Sequence, residues 1–432
     1  MTHEPNSSET RIGNYAEFRN ILLISSVALL AGILSEIGRV ALKGTDYAYS
    51  TFNDIHYYTA MAFRLWMPAN NVSEELELLA KTPDIDGFFT GYTPADIGQM
   101  GFYWNAENGF SHQPPFAFRA LTPTVTGWLE SAGFGFSIAQ LFLYLIGVIL
   151  LALFSYNLVG RSFKLALPPA LVSGGACIAA LATVSPGYPD MTYLGLATAA
   201  VWAASRQHIW IFSGLALLTS MTRETGILLS LVWIAYVWAN KRFTPIKLIP
   251  ALVPLLGYVA IRFLVQVPEP SINYAELLDF ASGRFSPPLI YGFFSIIVIG
   301  FITPRISRLF MLGVDRRLAV AESAIWIIGA LAALVSMLLA TNTTRLALLS
   351  LPLFFAASGW IGARSRWWLL SIVGATVGYA IADLLANRAD PPFGQTPWMY
   401  AALFVVSLQL IALLSDHKRA SKSAIEDPIH SV

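Results

Sequence analysis

Long apolar runs separated by short polar breaks dominate this chain. A helix crosses hydrocarbon in about 20 mostly apolar residues, sometimes fewer, and by that measure about 12 stretches read as transmembrane helices. They lie at residues 21–37, 136–159, 165–184, 191–204, 209–221, 225–239, 246–267, 289–302, 323–340, 346–362, 367–385 and 398–414. The long polar interruption falls early, between Arg39 and Arg119, directly after the first apolar run. Within it Tyr58, Met61, Ala62 and Leu65 recur at helical spacing and predict an amphipathic helix over residues 57–65. Residues 120–129 are too short and too polar to span, and suit a helix lying in the membrane interface. A second polar loop is expected at 268–288. The resulting organisation is a tail at 1–20, a transmembrane domain at 21–415 whose first extracytoplasmic loop and interfacial helices occupy 39–135, and a tail at 416–432. No internal repeat emerges.

Composition agrees with this pattern. Charged residues make up 12% of the chain, against about 25% in a soluble domain. Hydrophobic residues reach 56%, and the mean hydropathy is +0.59. The expected fold is therefore an all-α polytopic membrane protein. A net charge of +1 offers nothing to nucleic acid. The single cysteine, Cys177, lies in an apolar run and leaves no partner for an intrachain disulfide. The first 20 residues lack a basic segment and a small-residue cleavage site, so the first span is expected to stay as an anchor.

Lys and Arg set the orientation. With the N-terminus cytoplasmic, alternate loops hold Arg161 and Lys164, then Arg206, then Lys241, Arg242 and Lys247. Arg305, Arg308, Arg316, Arg317, Arg364 and Arg366 continue the series, and Lys418, Arg419 and Lys422 close it. The opposite loops carry fewer: Arg223, Arg284, Arg345 and Arg388. Both termini are thus expected in the cytoplasm, and the long first loop on the far side of the cell (inner) membrane.

On that far side, five polar groups fall at span ends. They are Asp46 and Asp54 with His56, Tyr57 and Tyr58; Arg119; Asp190; Arg223 with Glu224; and Arg345. Ionisable groups are costly against lipid and tend to face a cavity or one another. Simpler roles exist for each. Asp54 or Asp190 could cap a helix, Arg223 and Glu224 could pair with each other, and Arg345 could reach to the interface. His56 and His112 are too far apart to form a metal motif. The acids and histidines show no ligand spacing, so the cofactor requirement, a divalent metal included, is left open.

Asp54-Ile55-His56-Tyr57-Tyr58-Thr59-Ala60-Met61-Ala62 and Phe118-Arg119-Ala120-Leu121-Thr122-Pro123 resemble motifs of the GT-C superfamily of membrane glycosyltransferases. Bacterial members carry Asp-x-x-x-Tyr-Tyr-x-x-x-Ala and later Tyr-Arg-x-Leu-x-Pro. Here the aspartate lies one residue nearer the tyrosines, and Phe118 replaces tyrosine. A Pro-then-Asp span end resembles Pro186 and Asp190, and a Lys-Glu pair resembles Arg223-Glu224. The resemblance implies a polyprenyl-phosphate sugar as donor and an acidic base in the first extracytoplasmic loop. Asp54 is the first choice for that base and Asp46 the second. The shared side of Arg119, Arg223 and Arg345 and their isolation within apolar sequence predict an anion site for the donor phosphate, with His56 assisting and Asp190, Glu224, Tyr57, Tyr58 and His112 in support.

The chemistry is coherent with that likeness. Transfer to a hydroxyl needs a base for the acceptor proton and a means of stabilising an oxocarbenium-like transition state. Arginine meets a leaving phosphate in bidentate form. The expected partners are a polyprenyl-phosphate sugar, membrane lipids, and a glycan, lipid or protein acceptor. A multi-pass transporter or lipid flippase without transferase activity stays open, although related halves and mid-span charges are not seen. An acyl or phosphoryl transferase is a third option.

Overall fold

The computed structural model describes residues 119–158, 188–240, 244–265 and 316–339. It also describes Arg19, Asn20, Leu22, Leu23, Ser26, Leu30 and Tyr58, and scattered positions within 349–356 and 400–415. Among the described residues every regular element is helical and none is a strand. In chain order the helices are α1 (Leu121–Ser131), α2 (Phe136–Leu158), α3 (Asp190–Ser205), α4 (Ile209–Thr222), α5 (Leu229–Ala239), α6 (Pro245–Leu248), α7 (Leu252–Val265) and α8 (Arg316–Leu339). Short 3₁₀ turns at Glu224–Leu228 and Ile249–Ala251 lead into α5 and α7.

Two turns fix how these helices fold back. After α1 the chain closes with Gly133 N–H on the Glu130 carbonyl at 2.9 Å and Phe134 N–H on the Leu129 carbonyl at 3.0 Å. Gly133 takes the left-handed conformation at φ +94° that this double bond requires. The same closure ends α3, where Gln207 and His208 bond back to Ala204 and Ala203, each at 3.0 Å. Here a glutamine holds the left-handed position at φ 58°, and its side-chain amide donates to the Ala204 carbonyl at 3.0 Å. The turn makes α3 and α4 an antiparallel hairpin. With 16 residues in α3 and 14 in α4, their lengths are about 24 and 21 Å. The start of α3 and the end of α4 must therefore share one end of the hairpin, and this places Asp190 beside Arg223.

Small residues set the approach of α2 to α3. A Cβ on Gly195 would lie 2.6 Å from the Gly147 carbonyl oxygen, and a Cβ on Gly147 would run into the Met191 carbonyl. Such contacts between backbones are how helices associate where burial from water gives little driving force. Around this crossing α3 is enclosed nearly along its whole length. Phe212 of α4 stacks on Trp233 of α5 with centroids 4.6 Å apart. The Trp233 indole N–H donates to the Lys247 carbonyl at 2.6 Å, tying α5 to the end of α6. Buried hydroxyls bond back along their own helices, as Thr198 does to Leu194, Thr219 to Leu215 and Ser220 to Ala216. These three hydroxyls are thus satisfied within apolar segments.

The outer faces also carry large apolar side chains. Ile138, Leu141 and Phe142 on α2, Trp210 and Ile211 on α4, and Leu256 and Phe263 on α7 are all exposed. Helices apolar all round belong inside a large protein or in a membrane. Two of the described helical stretches, Ile138–Leu158 and Pro245–Phe263, are long and apolar enough to cross one. Ile209–Thr222 and Glu224–Ala239 are shorter apolar helices.

The expected elements fare differently. The spans at 136–159, 191–204 and 209–221 match α2, α3 and α4 to within a residue or two, and the helix expected over 120–129 is α1. The span at 225–239 opens with a 3₁₀ turn. The span expected at 246–267 coincides with the candidate span Pro245–Phe263, within which Pro250 sits in the 3₁₀ turn that joins α6 to α7. Arg316 and Arg317, expected in a loop, form the first turn of α8, which starts seven residues before the expected 323. Tyr58 is helical. The other positions of 57–65, the loop at 268–288, and the spans at 165–184, 289–302 and 367–385 lie outside the described residues.

The glycine crossing gives a direct test. Gly195→Leu should cost about 3 kcal/mol or more of stability, because backbone on both sides leaves nothing to yield. Gly214→Ala in α4, where a Cβ meets nothing within 4 Å, should instead be neutral or stabilising by about 0.5–1 kcal/mol. Thermal unfolding of the purified proteins measures both, and equal melting temperatures for the two variants would rule out the close crossing.

Candidate functional site

The site is built where α4 stops. Arg223 leaves the helix with φ −156° and ψ 149°, an extended conformation, while its N–H still bonds the Thr219 carbonyl at 3.0 Å. In extended backbone successive side chains point to opposite sides. Arg223 therefore turns inward to α3, and Glu224 turns away toward the start of α1. The 3₁₀ turn that follows lies directly on the last turn of α4. A Cβ on Gly226 would come within 2.8 Å of the Ser220 Cα, so only glycine lets the turn sit there. The Gly226 N–H closes it on the Arg223 carbonyl at 3.0 Å.

Two ion pairs result. Arg223 Nη1 meets Asp190 Oδ1, with side-chain exposures of 2% and 1%, so this pair is closed to any ligand. Asp190 opens α3, where the helix N-terminus also favours a negative charge. The N-cap position itself is Pro189, and Asp190, the first residue of the helix, takes part in the ion pair. Arg119, just before α1, donates Nε–H to both carboxylate oxygens of Glu224 at 3.2 Å each. The side chains of Arg119 and Glu224 are 10% and 25% exposed, which makes Glu224 the accessible acid of the two pairs. Arg119 Nη1 also donates to the Tyr58 hydroxyl at 2.7 Å. Tyr58 in turn meets Tyr188 edge-on, with centroids 6.3 Å apart. The neighbours Arg223 and Glu224 thus each take a partner from elsewhere in the chain.

Burial pushes the Glu224 carboxyl up. The positive charges of Arg119 and Arg223, with hydrogen bonds from the backbone and from Arg119, outweigh that effect and hold it below its ordinary 4.5. Arg223 therefore acts on Glu224 through space, and the two pairs form one cluster. Tyr193, which sequence reading passed over, lies in the field of Arg223, Asp190 and Glu224. The signal was available: Tyr193 stands three residues after Asp190 and so shares its helix face.

Of the residues singled out from sequence, Tyr58, Arg119, Asp190, Arg223 and Glu224 come together. Asp46, Asp54, His56, Tyr57, His112 and Arg345 lie outside the described residues. Among the described residues no group of three or more His, Cys, Asp or Glu gathers in a way that could hold a metal ion. A further buried carboxylate, Glu322 on α8, lies near Tyr236 of α5. Tyr236 is about 18 Å along the chain direction from Glu224 by helical rise, so that pair is separate from the cluster. Glu322 was missed because α8 begins earlier than the apolar run does.

No family model matches the chain, no curated protein is similar to it, and no solved structure resembles it.

Removing one partner of an enclosed pair strands the other charge. Asp190→Asn should therefore cost about 3–5 kcal/mol in unfolding, and the Asp190→Asn, Arg223→Met double variant should recover a large part of it. Failure of the second change to restore any stability would show that the pair is not the cause. For Glu224 the folded-state pKa is depressed, so its contribution is present above the ordinary 4.5 and is lost as pH falls through the lower, folded value. The gap in melting temperature between wild type and Glu224→Gln should stay constant from about pH 7 to about pH 5 and close only in stronger acid. A gap that closes near pH 6 would contradict the assignment.

Proposed function

We propose that this chain is a multi-pass membrane glycosyltransferase of the GT-C kind. It moves a sugar from a polyprenyl-phosphate donor to a hydroxyl acceptor at the extracytoplasmic face of the cell (inner) membrane, with both termini in the cytoplasm. The observation that supports this best is the joining of Arg119, Glu224, Arg223, Asp190 and Tyr58 at one end of the α3–α4 hairpin, from four separate parts of the chain. A cluster holding two arginines beside apolar outer faces suits a ligand that is a phosphate at one end and a lipid at the other.

In the proposed reaction Asp54, in the first extracytoplasmic loop, accepts the proton of the acceptor hydroxyl. The acceptor oxygen forms its bond to the anomeric carbon as the bond from that carbon to the phosphate oxygen breaks. The electron pair leaves with the lipid phosphate, and Arg119 meets the charge that develops there. Arg119 takes this role because it is the more exposed of the two arginines in the ion pairs; Arg223, enclosed with Asp190, positions the turn that carries Glu224. Asp46, Arg345 and His56 keep their proposed places as second acid and phosphate partners, and Tyr57 and His112 support them.

Transfer from a panel of polyprenyl-phosphate sugars by purified protein tests this reading. Asp54→Asn should lower turnover by about 100- to 10,000-fold, the usual loss for one general base. Near-normal turnover in Asp54→Asn with a large loss in Asp46→Asn would move the base to Asp46. No transfer from any donor, together with substrate-dependent transport in proteoliposomes, would replace the enzyme by a transporter or flippase.

A further inference from the structure

We propose that Glu224 is an internal counter-anion that occupies the phosphate site on Arg119 and is displaced when a phosphate group binds. This rests on the reading of the cluster as a phosphate site, and adds how the site is held when it is empty.

The Arg119–Glu224 contact is a weak form of its kind. One N–H is shared between two carboxylate oxygens at 3.2 Å. A strong arginine–oxyanion contact uses two N–H groups on two oxygens at about 2.7–2.9 Å. A phosphate can offer that geometry where Glu224 does not. The guanidinium would stay in place as the carboxylate leaves, because the Tyr58 hydroxyl holds its Nη1 at 2.7 Å. Glu224 is also on the outer side of the pair, at 25% exposure against 10% for Arg119. Its backbone is pinned by Gly226 against Ser220, but its side chain has three free torsions with which to swing. The field of Arg223, which already acts on the carboxylate, keeps it stabilised when it lets Arg119 go.

Charge balance points the same way. Among the described residues the cluster holds two arginines and two carboxylates, and an entering phosphate finds a negative group already on Arg119. The Asp190–Arg223 pair cannot give way, since both side chains are enclosed. Of the two described acids of the cluster, Glu224 is the one that can move aside.

The inference has an unusual consequence. Glu224→Gln should bind phosphate more tightly than wild type, although it removes a side chain from the site. Binding of farnesyl phosphate, inorganic phosphate and uncharged farnesol to detergent-purified protein measures this by calorimetry. Glu224→Gln should tighten farnesyl phosphate by at least about fivefold, as expected when a like charge leaves the neighbourhood of an anion. Farnesol should not change. A gain for inorganic phosphate as well would assign the effect to the phosphate group itself, and a gain for farnesyl phosphate alone would tie it to the lipid ligand. The Arg119→Gln, Glu224→Gln double variant should lose the gain. If wild type binds farnesyl phosphate and Glu224→Gln binds it equally or less well, the counter-anion role is wrong and the phosphate site stands. If no variant binds either phosphate, both fail. Loss of folded protein in both Glu224→Gln and Glu224→Ala would show a structural bond and overturn the inference.

Discussion

The extended residue Arg223 is the constraint on which the described site depends. It ends α4 without releasing its last backbone bond and sends two neighbouring charges in opposite directions. Had the helix continued, Arg223 and Glu224 would have stood about 100° apart on one cylinder, and neither could have reached its present partner so directly. The break is held by Gly226, which admits the 3₁₀ turn onto α4, and by Asp190, which anchors the guanidinium against the start of α3. A buried ion pair is poor evidence of net stabilisation, because desolvating two charges costs as much as their attraction returns. Its value here is positional. It fixes which way Glu224 faces, and so which arginine Glu224 meets.

The two pairs divide the work by exposure. Asp190 and Arg223 are enclosed and join α3 to α4. Arg119 and Glu224 are partly open and join the entry to α1 with the α4–α5 junction, and Tyr58 bonds to the same guanidinium. A closed pair beneath an open one is an arrangement that can support a ligand without collapsing when it leaves. The glycine crossing of α2 and α3 supplies the rigid floor, since backbone there touches backbone.

Much of the helical layout was legible because apolar length is a strong signal. α2, α3 and α4 lie where the apolar runs lie. The 3₁₀ turn at Pro250 lies within one such run. The early start of α8 was hidden because Arg316 and Arg317 read as loop residues, although basic side chains at a helix end are compatible with a membrane interface. At the site, residue types and their shared end of the helices could be read from sequence. Which charge takes which distant partner could not, because that depends on the dihedral angles of Arg223. Tyr193 illustrates the converse: helical spacing from Asp190 pointed to it, but an aromatic in an apolar run looks like packing.

The central claim is that this cluster receives the phosphate of a lipid-linked sugar. A structure of the protein in lipid nanodiscs, with a polyprenyl-phosphate sugar bound, tests it most directly. The account predicts a phosphate oxygen within about 3 Å of Arg119, with the Glu224 carboxylate displaced and the Asp190–Arg223 pair unchanged. A headgroup bound away from Arg119, with the Arg119–Glu224 contact intact beneath it, would contradict the account.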